Sequence, residues 1–234
     1  MNQTMEKAVD AYGGKETWIK ARSLEAEFSA RGLAFILKRR PQFRRAKVSM
    51  DTSRPFSRIT PIGRNRNISG VLDGPDVHLE NASNEVLQER KNARQYFPGG
   101  RRLLYWDDLD MAYFANYAMW NYLTLPALLM RKDIIWNEIE AGLLEATFPK
   151  EIPTHNQRQR FRFEQETGLL LQHDYTAEVI SCLAKAAHVV LDHSESEELR
   201  FTSLRRVTPR SAKGKPLRSP TLIEITIHDY HLIF

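Results

Sequence analysis

The feature that most constrains this chain is a period-two alternation of apolar and polar residues. Near the N-terminus, Leu24, Ala26 and Phe28 alternate with Glu25 and Glu27. Successive side chains of a strand point to opposite faces, so such a segment predicts a strand with one buried face. Similar segments follow at 46–50, 56–62, 68–72, 77–80, 134–140, 143–148, 158–164, 169–175, 186–192, 201–207 and 222–230. Many short strands separated by turn residues predict an antiparallel sheet or barrel.

Two segments between these strands are harder to assign. Residues 33–40 follow Arg31-Gly32 and are predicted to be the hairpin partner of the first strand. Residues 81–105 are polar, contain Pro98-Gly99-Gly100, and are predicted to be irregular.

Helical spacing occurs in two regions. Residues 1–22 are predicted to hold two short helices, separated at Gly13-Gly14. Residues 106–131 are predicted to form an apolar helical insertion, capped by Asp107 or Asp108 and broken near Pro126. Its helical spacing is carried by Met111, Phe114, Ala115, Ala118, Met119 and Tyr122. A helix that is apolar on most of its circumference must be covered by something large, such as a curved sheet.

The 234 residues are predicted to form one domain, since β-rich domains reach this length. The start of the chain has no apolar segment typical of a secretory signal. The lone cysteine, Cys182, excludes a disulfide within the chain and a cysteine zinc site. These features predict a cytoplasmic protein with an inert thiol.

The charge is concentrated in residues 31–66, which hold eleven Lys or Arg and one acid, Asp51. A basic face attracts nucleic acid, anionic lipid or an acidic ligand. It is equally the pattern of solvated side chains on the outer face of strands. No nucleic-acid-binding signature accompanies it, so nucleic acid is not an expected partner.

Signatures of hydrolases, P-loop proteins, dinucleotide-binding proteins and zinc proteases are absent from the sequence, and no cofactor is predicted. The densest polar cluster surrounds His155 and the segment His173-Asp174-Tyr175. His173 and Tyr175 are predicted to share an inward face with Leu171, where a histidine and a tyrosine could act as acid and base. In the catalytic hypothesis His173 or His155 is the acid/base, and Tyr175 and Asp174 support it. Alternatively, they are buried polar groups satisfied by their neighbours. The histidine spacing matches no standard metal site, and no metal is predicted.

Aromatic and amide side chains of the helical insertion are candidate ligand contacts, together with one histidine of a later strand. They either stack on a flat or apolar ligand or simply fill the core. The residues are Trp106, Tyr113, Tyr117, Trp120, Asn121 and His188.

A set of short motifs spread over nearly the whole chain resembles a bacterial family of uncharacterised proteins. The motifs are Tyr12-Gly13-Gly14 with Trp18, Trp106-Asp107-Asp108-Leu109-Asp110 with Tyr113-Phe114 and Trp120-Asn121-Tyr122, Phe148-Pro149, Ile152-Pro153-Thr154-His155, Gly168-Leu169, His173-Asp174-Tyr175, Ala187-His188 and Asp192-His193. The resemblance implies a fold similar to the lipoprotein carriers of the Lol system: a mainly β (α+β), open antiparallel half-barrel wrapped over one or two apolar helices.

That fold implies a concave apolar cavity. Its members include periplasmic carriers of lipoprotein acyl chains and a cofactor-free enzyme of violacein biosynthesis. The sequence therefore leaves two main hypotheses. One is a cofactor-independent rearrangement or cyclisation of an aromatic or hydrophobic small molecule. The other is a non-catalytic binder or carrier of lipid, with the basic stretch 31–66 touching a membrane surface.

Overall fold

A computed structural model describes residues 2–197, 199–211 and 213–234. Within these ranges thirteen strands form one sheet, with five helices and two short 3₁₀ turns. The helices are α1 (Gln3–Ala11), α2 (Gly14–Lys20), α3 (Leu33–Leu37), α4 (Asp108–Leu123) and α5 (Leu125–Met130). The strands are β1 (Ser23–Arg31), β2 (Phe43–Asp51), β3 (Phe56–Thr60), β4 (Ser69–Asp73), β5 (Asp76–Glu80), β6 (Val86–Arg90), β7 (Ile135–Glu140), β8 (Leu143–Thr147), β9 (Arg158–Phe163), β10 (Leu170–Thr176), β11 (Lys185–Ser196), β12 (Leu199–Pro209) and β13 (Ile223–Ile233).

The sheet is open and antiparallel, which confirms the predicted half-barrel architecture. Its strand order is β6-β5-β4-β3-β2-β1-β13-β12-β11-β10-β9-β8-β7. The chain therefore starts in the middle of the sheet, builds one wing to the edge at β6, and returns from the opposite edge at β7. The segment between these two edges carries α4 and α5 across the sheet.

Alternation decides which face of the sheet is buried. Along β1, Leu24, Ala26 and Phe28 are buried while Glu25 is exposed. Bulges bend the strands, including one at Glu27/Phe28 in the pairing of β1 with β13. Because a bulge increases the twist and bend of a strand, these irregularities help the sheet to curl around the helix.

Helix α4 begins at a capping box. The Asp107 side chain accepts from the Asp110 backbone N–H at 2.7 Å, and the Asp110 side chain accepts from the Asp107 N–H at 3.0 Å. The Asp110 carboxylate has no solvent exposure and binds the guanidinium groups of Arg90, Arg101 and Arg102. This cluster fixes the start of the helix against the 3₁₀ turn at Gly100–Leu103 and the edge strand β6.

Polar side chains of α4 bond the backbone of the covering elements. Asn116 donates to the Gly70 carbonyl at 3.0 Å, and Trp120 donates to the Asp51 carbonyl at 2.8 Å. Asn121 donates to the Pro153 carbonyl at 2.8 Å. Gly70 lets the helix approach closely, because a Cβ there would lie 2.6 Å from the Cβ of Ala112. The amides and indole on this apolar helix thus have a structural role.

The structure corrects two sequence predictions. Residues 33–37 form α3 rather than a hairpin strand, because both neighbours of β1 are other strands, β2 and β13. The Leu33 and Ala34 N–H groups instead donate to the carbonyls of Thr221 and Leu222. The supposedly irregular segment 81–105 contains the edge strand β6, whose side chains are mostly exposed and lack the alternation of a half-buried strand.

No helix in the described part of the chain is long and apolar enough to cross a membrane.

Candidate functional site

An apolar cavity lies between α4 and the concave face of the sheet. It contains about 690 Å³ of space free of protein atoms, part of which is open to solvent. The lining residues are Phe28, Ala30, Ala34, Phe35, Lys38, Arg40, Phe43, Trp106, Met111, Phe114, Ala115, Ala118, Met119, Tyr122, Ile180, Val207, Ile223 and Ile225. The surface inside is almost wholly hydrocarbon.

The lining residues follow the helical spacing of α4 and the strand alternation of β1 and β13. All six residues that carried the helical spacing of α4 face the cavity, because positions three and four apart share one side of a helix. Phe28 and Ala30 face it from β1, and Ile223 and Ile225 from β13, each pair two residues apart on a strand. The same alternation that defined the strands therefore also signalled these lining residues.

The two charged side chains of the lining, Lys38 and Arg40, lie directly after α3. The Lys38 ammonium donates to the carbonyls of Arg102 and Leu103 at 2.9 and 2.8 Å, and lies 5.2 Å from the centre of the Trp106 ring. Arg40 pairs with Asp108 and donates to the Trp106 carbonyl at 3.1 Å. Burial lowers the pKa of Lys38. Both cations are already engaged by protein groups, so they act as parts of the wall.

Of the predicted ligand contacts, Trp106 lines this cavity. Tyr113 lies instead beside a more polar surface cleft that includes Arg94 and Glu178. Tyr117, Trp120, Asn121 and His188 are buried behind the lining. Sequence reasoning assigned the aromatic and amide side chains to the ligand, whereas most of the observed lining is aliphatic.

A buried polar cluster lies next to the cavity, on the far side of Tyr122. Its centre is His155, whose Nδ1 lies 3.1 Å from the Tyr117 hydroxyl and whose Nε2 lies 2.6 Å from the Tyr122 hydroxyl. The Tyr122 and Tyr175 hydroxyls are 3.0 Å apart. The His155 ring also stacks on Tyr175, with centroids 3.8 Å apart. Both nitrogens of His155 are therefore satisfied by neighbouring side chains.

Two further histidines of the cluster face each other across neighbouring strands, His173 on β10 and His188 on β11. His173 Nε2 lies 2.5 Å from the Gln159 side-chain oxygen, and its ring stacks on Phe161. The His188 ring contacts Tyr122 edge-on, with centroids 4.5 Å apart, but neither of its nitrogens has a hydrogen-bond partner among the described residues.

The segment 171–175 is shaped by a bulge in the pairing of β10 with β9, between Leu170 and Gln172. It leaves Leu171 exposed while His173 and Tyr175 point inward, so Leu171 does not share their face as the simple alternation predicted. Asp174 lies on the opposite face, where it binds Gln172 and Arg210. Its carboxylate is thus separated from His173 by the sheet.

Arg205 is a member of the cluster that sequence reasoning missed. Its side chain is 2 % exposed and donates to the Thr202 hydroxyl at 2.6 Å and to the Tyr122 carbonyl at 3.1 Å. The guanidinium also lies 5.2 Å from the centre of the Tyr122 ring. No carboxylate of the described residues pairs with it, and the Tyr122 carbonyl that it binds lies in the last turn of α4, at the negative end of the helix. The sequence did contain a signal for its burial: Arg205 lies two residues before Val207 on β12, so both side chains point to the inward face.

Burial fixes the protonation of this cluster. It lowers the pKa of His155 to about 3 and those of His173 and His188 well below their usual value, assisted by the positive charge of Arg94 or Arg205. Burial also raises the pKa of Tyr117, Tyr122 and Tyr175. Near neutral pH the histidines are neutral and the tyrosines protonated, a network in which hydrogen bonds replace charge.

His155, His173, Tyr175 and Asp174 do not belong to the cavity lining. Tyr122 and Phe114 of the lining contact the cluster: Tyr122 through its hydroxyl, and Phe114 through a ring whose centre lies 5.6 Å from that of His155. Cys182 is exposed on the loop between β10 and β11. The arrangement can hold an apolar molecule against a hydrocarbon wall. The Tyr122 hydroxyl is bonded within the cluster, to His155 and Tyr175.

No protein-family model matches the chain, and no curated protein matches it in sequence. Solved structures share the fold. A LolA superfamily protein from Nitrosomonas europaea has a TM-score of 0.58 at 12% identity, covering 99% of this chain and 92% of its own. A DUF1329 family protein from Desulfovibrio piger has a TM-score of 0.51 at 13% identity, covering 98% and 91%. A domain assigned provisionally as an outer membrane lipoprotein-sorting protein, from Vibrio parahaemolyticus, has a TM-score of 0.51 at 10% identity, covering 98% and 91%.

These neighbours show that the cytoplasmic location predicted from the sequence is wrong. They include a domain named for outer membrane lipoprotein sorting. The prediction rested on the residues at the start of the chain and on a single cysteine. A lone cysteine cannot form an internal disulfide in any compartment, so it carries no information about location. The chain has the fold of the Lol-type lipoprotein carriers.

Proposed function

We propose that this protein is a non-catalytic binder or carrier of an acyl chain or a similar lipid-like molecule, which occupies the cavity between α4 and the sheet. The observation that carries this proposal is the hydrocarbon lining. Eighteen residues surround the cavity, and the two cations among them are engaged by protein carbonyls and a carboxylate. Such a wall favours a ligand without polar groups along its length, because unpaired polar groups are costly there.

The energetic scale is sufficient for useful affinity. Each buried methylene contributes about 0.8 kcal/mol, so a chain of about ten methylenes gains about 8 kcal/mol before the costs of association. The fold neighbours named for lipoprotein sorting support the same ligand class. The enzymatic hypothesis has less support, since the histidines and Tyr175 proposed as acid and base lie outside the lining. The neighbours give no support to a biosynthetic role.

A brominated fatty acid tests the proposal. Bromine quenches tryptophan fluorescence at contact, and Trp106 is the one tryptophan that lines the cavity; Trp18, Trp120 and Trp136 do not. We expect saturable quenching by 12-bromododecanoate at micromolar concentration, and loss of most of that quenching in Trp106→Phe while calorimetry still detects binding. Absence of saturable binding would overturn the proposal.

A blocking substitution locates the ligand. Ala34 lies on α3 at the cavity wall, so Ala34→Phe places a ring into the space that the chain would occupy. We expect at least a tenfold loss of affinity. Ala82→Phe, in the exposed turn between β5 and β6, is the matched control and should bind normally. Equal affinity of Ala34→Phe and the wild type would place the ligand elsewhere.

A further inference from the structure

Two short segments place large apolar side chains in solvent. At the end of α3, Ile36 is 68 % and Leu37 is 55 % exposed. In the segment before α4, Leu103 is 53 % and Leu104 is 73 % exposed, and the ring of Tyr105 follows them into solvent. Single exposed apolar residues are normal on protein surfaces, but a group of five is a feature of surfaces that bind another apolar body.

Hydrogen bonds join these two segments into one surface. Lys38, directly after Leu37, donates through its ammonium to the carbonyls of Arg102 and Leu103. The Lys38 carbonyl in turn accepts from the Trp106 N–H at 3.2 Å. Residues 36–37 and 103–105 are therefore held side by side, and together they are called the rim patch.

The rim patch lies at the cavity. Ala34, Phe35 and Lys38 line the cavity from the α3 side, and Trp106 lines it from the other segment. Residues of the cavity wall and residues of the rim patch are thus direct neighbours in both segments of the chain. A surface that touched the rim patch would touch the edge of the ligand cavity.

The surroundings of the rim patch are positively charged. The carboxylates of this region, on Asp107, Asp108 and Asp110, are shared among four arginines, Arg40, Arg90, Arg101 and Arg102. Arg39, which follows Lys38 directly, is exposed and forms no ion pair with any residue in the described ranges. Arginine and lysine near an anionic lipid surface contribute about 1 kcal/mol each to binding.

We propose that the rim patch docks on the surface of an anionic lipid bilayer, with Ile36, Leu37, Leu103 and Leu104 inserted among the lipids. This inference rests on the proposed function. If the cavity binds a lipid-like molecule, docking lets that molecule pass between the bilayer and the cavity without crossing water. The positive charge around the rim patch favours an anionic bilayer as its binding partner. A second copy docked by the same face would bring two positively charged surfaces together, which is unfavourable.

Vesicle sedimentation tests the docking. With vesicles of equal parts phosphatidylglycerol and phosphatidylcholine, we expect the wild-type protein to bind, and Ile36→Asp/Leu104→Asp to bind at least tenfold more weakly. The matched control is Ile19→Asp/Ile139→Asp, which replaces residues that are 65 % and 50 % exposed on α2 and β7, elements that do not line the cavity. The control should bind like the wild type. Binding should also weaken as salt is raised, because the contact is partly electrostatic.

Several results would overturn the proposal: no binding of the wild type, equal loss in both double variants, or equal binding to vesicles of phosphatidylcholine alone. A wild-type dimer in solution that Ile36→Asp/Leu104→Asp dissociates would assign the patch to a second copy instead. Calorimetry with 12-bromododecanoate separates this inference from the proposed function. The rim variant should still bind the free acid, whereas failure of the proposed function would abolish acid binding in every variant.

Discussion

Replacing His188 by leucine is expected to stabilise the protein. The His188 ring is fully buried, and neither nitrogen has a partner among the described residues. An unsatisfied buried polar group costs about 1–3 kcal/mol, and an apolar side chain of similar size removes that cost. The substitution also loses the edge-on contact with Tyr122, worth about 0.5–1.5 kcal/mol. The net expectation at pH 7.5 is a gain of about 1 kcal/mol.

The stability gained by His188→Leu should be larger at acidic pH. Burial lowers the pKa of folded His188 well below its usual value. Below about pH 6.5 the unfolded chain therefore binds a proton that the folded chain does not, and the wild type loses stability as the pH falls. Leucine has no such proton, so the advantage of the variant at pH 5 should exceed that at pH 7.5 by about 2 kcal/mol.

Urea unfolding at both pH values measures these free energies. His173→Leu is the matched control, because it removes a histidine of equal burial on the neighbouring strand that does bond Gln159. It should lose about 1–3 kcal/mol at pH 7.5, since it leaves the Gln159 oxygen unpaired. A loss of 1 kcal/mol or more for His188→Leu at pH 7.5 would refute the reasoning and show that the His188 nitrogens have partners.

Two more substitutions test how α4 is held against the sheet. Asp110→Asn should cost about 3–5 kcal/mol in urea unfolding, because it leaves three partly buried arginines without their shared carboxylate, while Asp133→Asn at an exposed pair should cost at most about 1 kcal/mol. Equal effects would show that the cluster is dispensable. Gly70→Ala should cost about 1–3 kcal/mol by the same assay, because the new methyl would meet Ala112 on the helix. An unchanged midpoint would mean that the helix can move away from β4 without loss.

The local patterns of this sequence determined its elements and much of its cavity wall. Alternation in 23–30 predicted β1, and the spacing from Met111 to Tyr122 predicted both α4 and the face it buries. These predictions succeed because side-chain direction follows from backbone period alone. The open half-barrel came from the resemblance in motifs such as residues 106–110, and the structure confirmed it.

Long-range packing decided the rest. Whether 33–37 became a strand depended on β13 arriving beside β1 from the other end of the chain, which no local pattern records. The bulge that turned Leu171 outward is likewise a property of the pairing with β9.

The polar residues show the same division. Sequence reasoning could group His155, His173 and Tyr175 because they are chemically conspicuous, and the structure does bring them together. Only tertiary structure placed them behind Tyr122 rather than in the cavity wall, and only it brought Arg205 to the end of α4. The sequence by itself determined most of the side chains that point inward, as along β1 and α4. The order of the strands around the helix decided which of those inward side chains reach the cavity, because that depends on residues far apart in the chain meeting across the sheet.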